Sequence, residues 1–175
     1  MTLDNEQDQE IESQERESIL IVEDDQDLRA YLKNSLQATY QIVEAENGVE
    51  GVEKTKKHLP DLIISDVMMP EMDGIEMCKT IKENHETSHI PILMVTAKTD
   101  IEHVKVGLEA GAWDYIKKPF NNQELRQKIN NILKTRNKFR RFLLSQNISI
   151  EVKQHYTSYD QNLILRISKI VEEKY

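Results

Sequence analysis

The chain has 175 residues, a formal net charge of −8 and 38% hydrophobic residues, enough for one full core with appendages rather than two equal domains. The acidic balance argues against non-specific nucleic-acid binding by the whole chain, and apolar stretches no longer than a strand argue against a membrane span. The Met1 end lacks the order of a signal peptide and the single Cys78 cannot close an internal disulfide, so the cytoplasm is the expected compartment.

Residues 1–17 read as an acidic, disordered lead-in or linker, because Asp4 to Glu17 is nearly all Asp, Glu, Gln and Ser with Arg16 the only cation. From Ile19 to Leu133 short β-branched or apolar runs alternate with longer stretches of helical spacing, the signature of a parallel α/β sheet. Ile19 to Val22 is the first strand. Leu28, Tyr31, Leu32, Ser35 and Leu36 then keep one face of a first helix. A second strand, Tyr40 to Glu44, carries polar residues suited to an edge. The second helix, about Gly48 to His58, is weakly patterned and stops before Pro60. Leu62 to Ser65 is a continuously apolar third strand, and with the first it should be central. Ile75, Cys78 and Ile81 mark a third helix, and Ile92 to Val95 a fourth strand. Ile101, Val104 and Leu108 mark a fourth helix ended by Gly111. Trp113 to Lys117 is a fifth, edge-like strand. Leu125, Ile129, Ile132 and Leu133 mark a fifth helix that Phe139 and Leu143 extend. Lys128, Lys134, Arg136, Lys138 and Arg140 read as its solvated face, with a partner surface as the alternative.

Two acidic positions stand out. Asp66 closes the third apolar run, and Glu23-Asp24-Asp25 follows the first. If these strands are parallel neighbours, their carboxylates converge at one sheet edge and call for a cation. Mg²⁺ takes oxygen ligands and keeps waters, so one or two carboxylates and a carbonyl suffice from a protein. Without metal, such carboxylates raise one another's pKa. The remaining reactive-looking residues have plainer readings. Met68, Met69, Met72 and Met77 read as packing, Cys78 as buried and inert, and the scattered histidines as neither a zinc site nor a phosphodonor. Trp113 reads equally as an exposed contact or a cap on the sheet.

From about Ser18 to Lys134 the chain resembles a two-component response-regulator receiver domain of the flavodoxin-like fold. Five features in order carry the resemblance: Glu23-Asp24; Asp66 with its Met-Met-Pro-x-Met-Asp-Gly continuation; Thr96 ending strand four; Tyr115 in strand five; and Lys118-Pro119-Phe120. The resemblance implies a (βα)5 doubly wound parallel sheet of order 2-1-3-4-5, extended by a C-terminal helical tail, with the receiver over 18–136. It implies Asp66 as phosphoacceptor and a histidine kinase, in cis or in trans, as phosphodonor. Mg²⁺ (or Mn²⁺) would be held by Asp24, Asp66 and the Met68 main-chain carbonyl, with Glu23 acting through a water and Asp25 facing away. Lys118, after which a cis bond to Pro119 is expected, and Thr96 would contact the phosphoryl oxygens. Thr96 and Tyr115 would carry the change to the surface of the fourth helix, fifth strand and fifth helix, where homodimerisation is the output to test. Such a domain is a phosphoacceptor that assists its own chemistry rather than a conventional enzyme.

Residues 137–159 read as helix extension and linker. The stretch from Leu133 to Phe142, and Tyr156 to Asp160, look like the junction of hybrid regulators that combine a histidine kinase, a receiver and an AraC-type output controlling transcription. In such a hybrid the parent chain carries kinase activity and can be anchored to a membrane. Residues 160–175, with Asp160 as N-cap and Leu163, Ile164, Ile167, Ile170 and Val171 on one face, resemble the helix preceding that output domain. No recognition helix follows, so direct DNA binding by this stretch is not expected. Two rival readings use the same residues: a Mg²⁺-dependent phosphatase or hydrolase with an aspartyl-phosphate intermediate, and a receiver-like interaction module without phosphorylation. The first lacks its usual Asp-x-Asp pair after strand one. Against the second, every site residue of the family is present.

Overall fold

The computed structural model describes residues 16–97 and 101–145. Ten elements alternate: β1 (Ser18–Val22), α1 (Gln26–Leu36), β2 (Gln41–Ala45), α2 (Gly48–His58), β3 (Leu62–Asp66), α3 (Gly74–Glu83), β4 (Ile92–Ala97), α4 (Ile101–Glu109), β5 (Asp114–Lys118) and α5 (Asn122–Ser145). The strands form one parallel sheet in the order β2-β1-β3-β4-β5, as the resemblance implies. The expected lead-in before residue 16, the linker beyond Ser145 and the helix over 160–175 lie outside the described residues. Among the described residues no helix is long and apolar enough to cross a membrane.

Alternation along the strands explains why the inner ones read as unbroken apolar runs. Successive side chains point to opposite faces, and here both faces are covered. Ile19, Ile21, Leu62, Ile64, Leu93 and Val95 join Leu32 and Leu36 of α1 and Leu125, Ile129, Ile132 and Leu133 of α5 in one cluster. Leu20, Val22, Ile63, Ile92 and Met94 join Ile75, Met77, Cys78 and Ile81 of α3 in the other. The edge strands β2 and β5 are less buried, as their polar residues predict.

Local signals set the boundaries. Asp25, Asn47 and Asp73 cap α1, α2 and α3, each side chain accepting an N–H from the first turn. After α4, Gly111 takes φ +97°, and its N–H bonds Leu108 O while that of Ala112 bonds Gly107 O, both at 3.0 Å. This paired closure explains why a glycine stands there.

Several expectations need correction. Tyr31 is exposed, and the buried stripe of α1 is Arg29, Leu32 and Leu36. Leu108 is also exposed. Tyr40 and Trp113 precede their strands. Tyr40 is buried, its hydroxyl 3.1 Å from Asn130 Oδ1, whereas Trp113 is 50% exposed and does not cap the sheet. Among the methionines Met77 is buried but Met68 is 60% exposed, so packing does not account for Met68. Nor is the cationic face of α5 purely solvated: Lys128 Nζ lies 2.6 Å from Asp114 Oδ2, Arg126 donates to the Ser35 carbonyl, and Arg136 pairs with Asp61.

That last pair belongs to a junction at the amino edge of the sheet. The Ser18 N–H and hydroxyl donate to Asp61 Oδ2 at 2.8 and 3.2 Å, Arg136 donates to Asp61 Oδ1, and the Asn137 amide donates to Glu17 Oε1 at 2.9 Å. The start of β1 and the second half of the 24-residue α5 are thereby tied together.

Candidate functional site

The chain reverses its direction across the sheet between β1 and β3, and the carboxyl ends of those strands form a crevice there. Glu23 and Asp24 follow β1 and Asp66 ends β3. Carboxylate oxygens of all three lie within 4.8 Å of one another, with Glu23 and Asp66 buried and Asp24 exposed. Lys118, ending β5, reaches over β4 to place Nζ 2.8 Å from Asp66 Oδ2 and 3.2 Å from Glu23 Oε2. The Lys118-Pro119 bond is cis.

The neighbourhood is strongly anionic. Burial of Glu23, and next the charge of Asp66, push the Glu23 carboxyl up to about 7 against the lowering effect of Lys118. Burial favours the neutral amine of Lys118, but its bonds to Asp66 and Glu23 more than offset this and raise its pKa. A site with three carboxylates and one ammonium, holding an acid so far above its ordinary value, fits a small divalent cation.

The loop after β3 is shaped by main-chain contacts. The Asp66 carboxylate accepts the Val67 N–H at 2.7 Å. The chain then turns tightly, Glu71 at φ +66° and the Met72 N–H bonded to Pro70 O at 2.8 Å. It returns so close that a Cβ on Gly74 would lie 2.1 Å from Asp66 O. Glycine is therefore required where the Asp-Gly pair closes the motif. Met68 lies on this loop, and its carbonyl accepts no hydrogen bond among the described residues.

Thr96 is buried on β4, one residue beyond Val95, the register partner of Asp66. Its hydroxyl is 3.4 Å from Ala97 O. Tyr115 is half-buried against the α3 side of the core, with Lys117 and Lys128 ammoniums 5.8 and 5.7 Å from its ring centroid. Thr96 and Tyr115 face Gly107 and Leu108 of α4 across a crevice with no room for a water molecule, lined also by Val67. Asp25 faces away and caps α1 by accepting the Leu28 N–H at 2.9 Å. Cys78 is buried, and burial pushes its thiol up to about 11, in keeping with an inert role.

Sequence reasoning missed Arg29. Its guanidinium donates to Glu23 O at 2.6 Å and to Glu46 Oε1 at 2.9 Å. The available signal was a cation at the head of the i, i+3, i+7 stripe with Leu32 and Leu36, a position that periodicity reserves for the core.

Fold and site together define a doubly wound α/β domain with a cation-competent acidic crevice at its switch point. The chain belongs to the response regulator receiver domain family, whose profile matches residues 19–130, and it thus carries a receiver domain of two-component phosphorelay signalling. It is similar to Histidine kinase P4 of Formosa agariphila, 42% identical over 163 residues, covering 93% of this chain but 12% of that protein. It is also similar to the Hybrid signal transduction histidine kinase D of Dictyostelium discoideum, 40% identical over 71% of this chain and 8% of that one. The chain therefore spans only a small part of these relatives. Among solved structures, a response regulator from Chloroflexus aurantiacus is 42% identical with a TM-score of 0.65, covering 67% of this chain and 97% of that one. The receiver domain of a signal transduction histidine kinase from Syntrophus aciditrophicus is 34% identical with a TM-score of 0.64, covering 81% and 97%.

Proposed function

We propose that residues 18–136 form a phosphoacceptor switch in which Asp66 takes a phosphoryl group from the phosphohistidine of a histidine kinase. The observation that carries this reading is the meeting of Glu23, Asp24 and Asp66 oxygens within 4.8 Å under the Lys118 ammonium. An Asp66 carboxylate oxygen attacks phosphorus, the P–N bond breaks, and its electron pair returns to the imidazole of the donor. Asp24, Asp66 and the Met68 carbonyl would hold Mg²⁺, with Glu23 acting through a water. When bound, the ion supplies positive charge beside the transferring oxygens, where two anions must otherwise approach.

In the acyl phosphate, Lys118 pairs with one phosphoryl oxygen and the Thr96 hydroxyl donates to another. Thr96 moving toward Asp66 opens space into which Tyr115 turns, favouring one of two packings of α4, β5 and α5. The output we infer is transcriptional, in a cytoplasmic part of a longer hybrid chain. The kinases among the relatives support the hybrid setting, whereas the AraC-type output rests on the resemblance of residues 133–142 and 156–175.

Intact-mass measurement after incubation with Mg²⁺ and acetyl phosphate tests the core of this reading. One phosphoryl adduct, absent in Asp66→Asn, is expected. No adduct, or one retained in that variant, overturns the assignment. Sedimentation with and without a beryllofluoride mimic tests the output surface, and unchanged association counts against dimerisation through it.

A further inference from the structure

The acids of the crevice need more than strand ends to aim them, because Asp24 and Asp25 lie in the loop between β1 and α1. The main chain there is held from three sides. The Glu23 N–H bonds Ala45 O at 3.1 Å, continuing the β1–β2 ladder, and Asp25 O accepts the Arg29 N–H at 2.9 Å in the first turn of α1. The carbonyls between these points are reached by one side chain among the described residues, Arg29. Its Nη1 is 2.6 Å from Glu23 O and 3.4 Å from Asp24 O.

Arg29 is 9% exposed, and a buried guanidinium persists only if its donors are satisfied. Two features separate its arrangement from simple charge neutralisation. First, it touches none of the three crevice carboxylates. Those of Glu23 and Asp66 are bonded by Lys118, while Arg29 takes main-chain carbonyls and the outlying acids Glu46, at 2.9 Å, and Glu44, at 4.0 Å. Second, the fork is divided. One nitrogen grips the β1–α1 loop and another reaches Glu46 at the end of β2, so the acidic loop is braced against the neighbouring strand. A lysine carries its charge at one point and cannot make both attachments in this geometry.

We infer that Arg29 is the positioning residue of the acidic crevice: by clamping the carbonyls of Glu23 and Asp24 against Glu46, it aims their carboxylates at a divalent cation. This rests on the Mg²⁺ reading above and adds to it an organiser outside the ligand set. Supporting residues of this kind change metal affinity by roughly 10–100-fold when altered.

Electrostatics and positioning make opposite predictions, which makes the inference testable. Arg29 is a cation close to a cation site, so if only its charge mattered, neutralising it would tighten Mg²⁺ binding. If it positions the loop, neutralising it weakens binding. Mg²⁺ affinity of wild type, Arg29→Gln and Arg29→Lys is measured by isothermal titration calorimetry, with free Mn²⁺ followed by electron paramagnetic resonance. Urea unfolding in EDTA establishes the folded fraction. Both variants are expected to bind about 10-fold or more weakly, including Arg29→Lys, which keeps the charge and guards against a Gln variant that does not fold. In acetyl phosphate reactions the half-saturating Mg²⁺ concentration should rise while the rate at saturating Mg²⁺ is largely retained. Wild-type or tighter affinity in folded Arg29→Gln, or wild-type affinity in Arg29→Lys, overturns the inference. Failure of the wild-type protein itself to bind Mg²⁺ overturns the underlying metal reading instead.

Discussion

Lys118 and Asp66 meet at 2.8 Å although their strands are not neighbours, β4 lying between them. The ammonium reaches over the end of β4 and bonds Glu23 at 3.2 Å as well. It is thus the main internal counter-charge of two buried carboxylates, and a cation arriving in the crevice competes with it.

Lys118→Met should therefore act in opposite directions on two observables. Leaving buried carboxylates without their partner destabilises the metal-free fold by about 1–3 kcal/mol, read from urea unfolding in EDTA. At pH 8 the same variant should bind Mg²⁺ more tightly by calorimetry, because one positive charge has gone. Equal stability and equal affinity would mean that the lysine bridge contributes neither effect.

Glu23 gives a pH dependence of definite sign. Its carboxyl is raised from 4.5 to about 7 in the fold, so the native state holds that proton more tightly than the unfolded chain. The stabilisation is full below the unfolded value and is lost as pH rises to about 7, on the order of a few kcal/mol in all. Urea midpoints in EDTA should fall across that window, and Mg²⁺ should restore them at its upper end. Glu23→Gln should flatten the profile; an unchanged slope would assign it to other groups.

Gly74→Ala tests the close approach behind Asp66. The added Cβ would lie 2.1 Å from the Asp66 carbonyl oxygen, a main-chain clash that requires the loop or β3 to move. A loss of about 2–4 kcal/mol is expected in urea unfolding, together with a slower acetyl phosphate reaction. A variant within 0.5 kcal/mol of wild type, roughly the range of a neutral surface change, would place the loop elsewhere.

At the opposite edge, burial of Asp61 favours its neutral form, but hydrogen bonds from Ser18 and the ion pair with Arg136 outweigh this and hold its pKa below the usual aspartate value. The stability it contributes is present above about pH 3.9 and is lost as pH falls through its lower native value. Asp61→Asn should cost about 1–3 kcal/mol at pH 7, and its unfolding profile should approach that of wild type in acid. A constant gap between the two profiles would point to packing instead.

Strand order and the acidic crevice were legible because their signals are local or motif-like. An unbroken Leu62 to Ser65 run ending in Asp66 states both a two-sided burial and the position of the carboxylate. What escaped depended on contacts between distant segments. Arg29 on a core stripe makes sense only once Glu23 O and Glu46 are beside it, and Arg136 looked like a solvated cation until Asp61, 75 positions away, was placed against it. Tyr31 and Leu108 fit a helical period yet are exposed, because periodicity gives a face but not how far a neighbouring layer covers it.

The Glu17–Asn137 and Ser18–Asp61–Arg136 ties bring the polypeptide back, after five turns of strand and helix, to the spot where it entered. Because α5 runs on from Asn137 to Ser145, the chain leaves along the helix axis rather than at the point of entry. The tie lies at the opposite end of the strands from Glu23, Asp24 and Asp66, so holding the two segments together does not obstruct the acidic crevice.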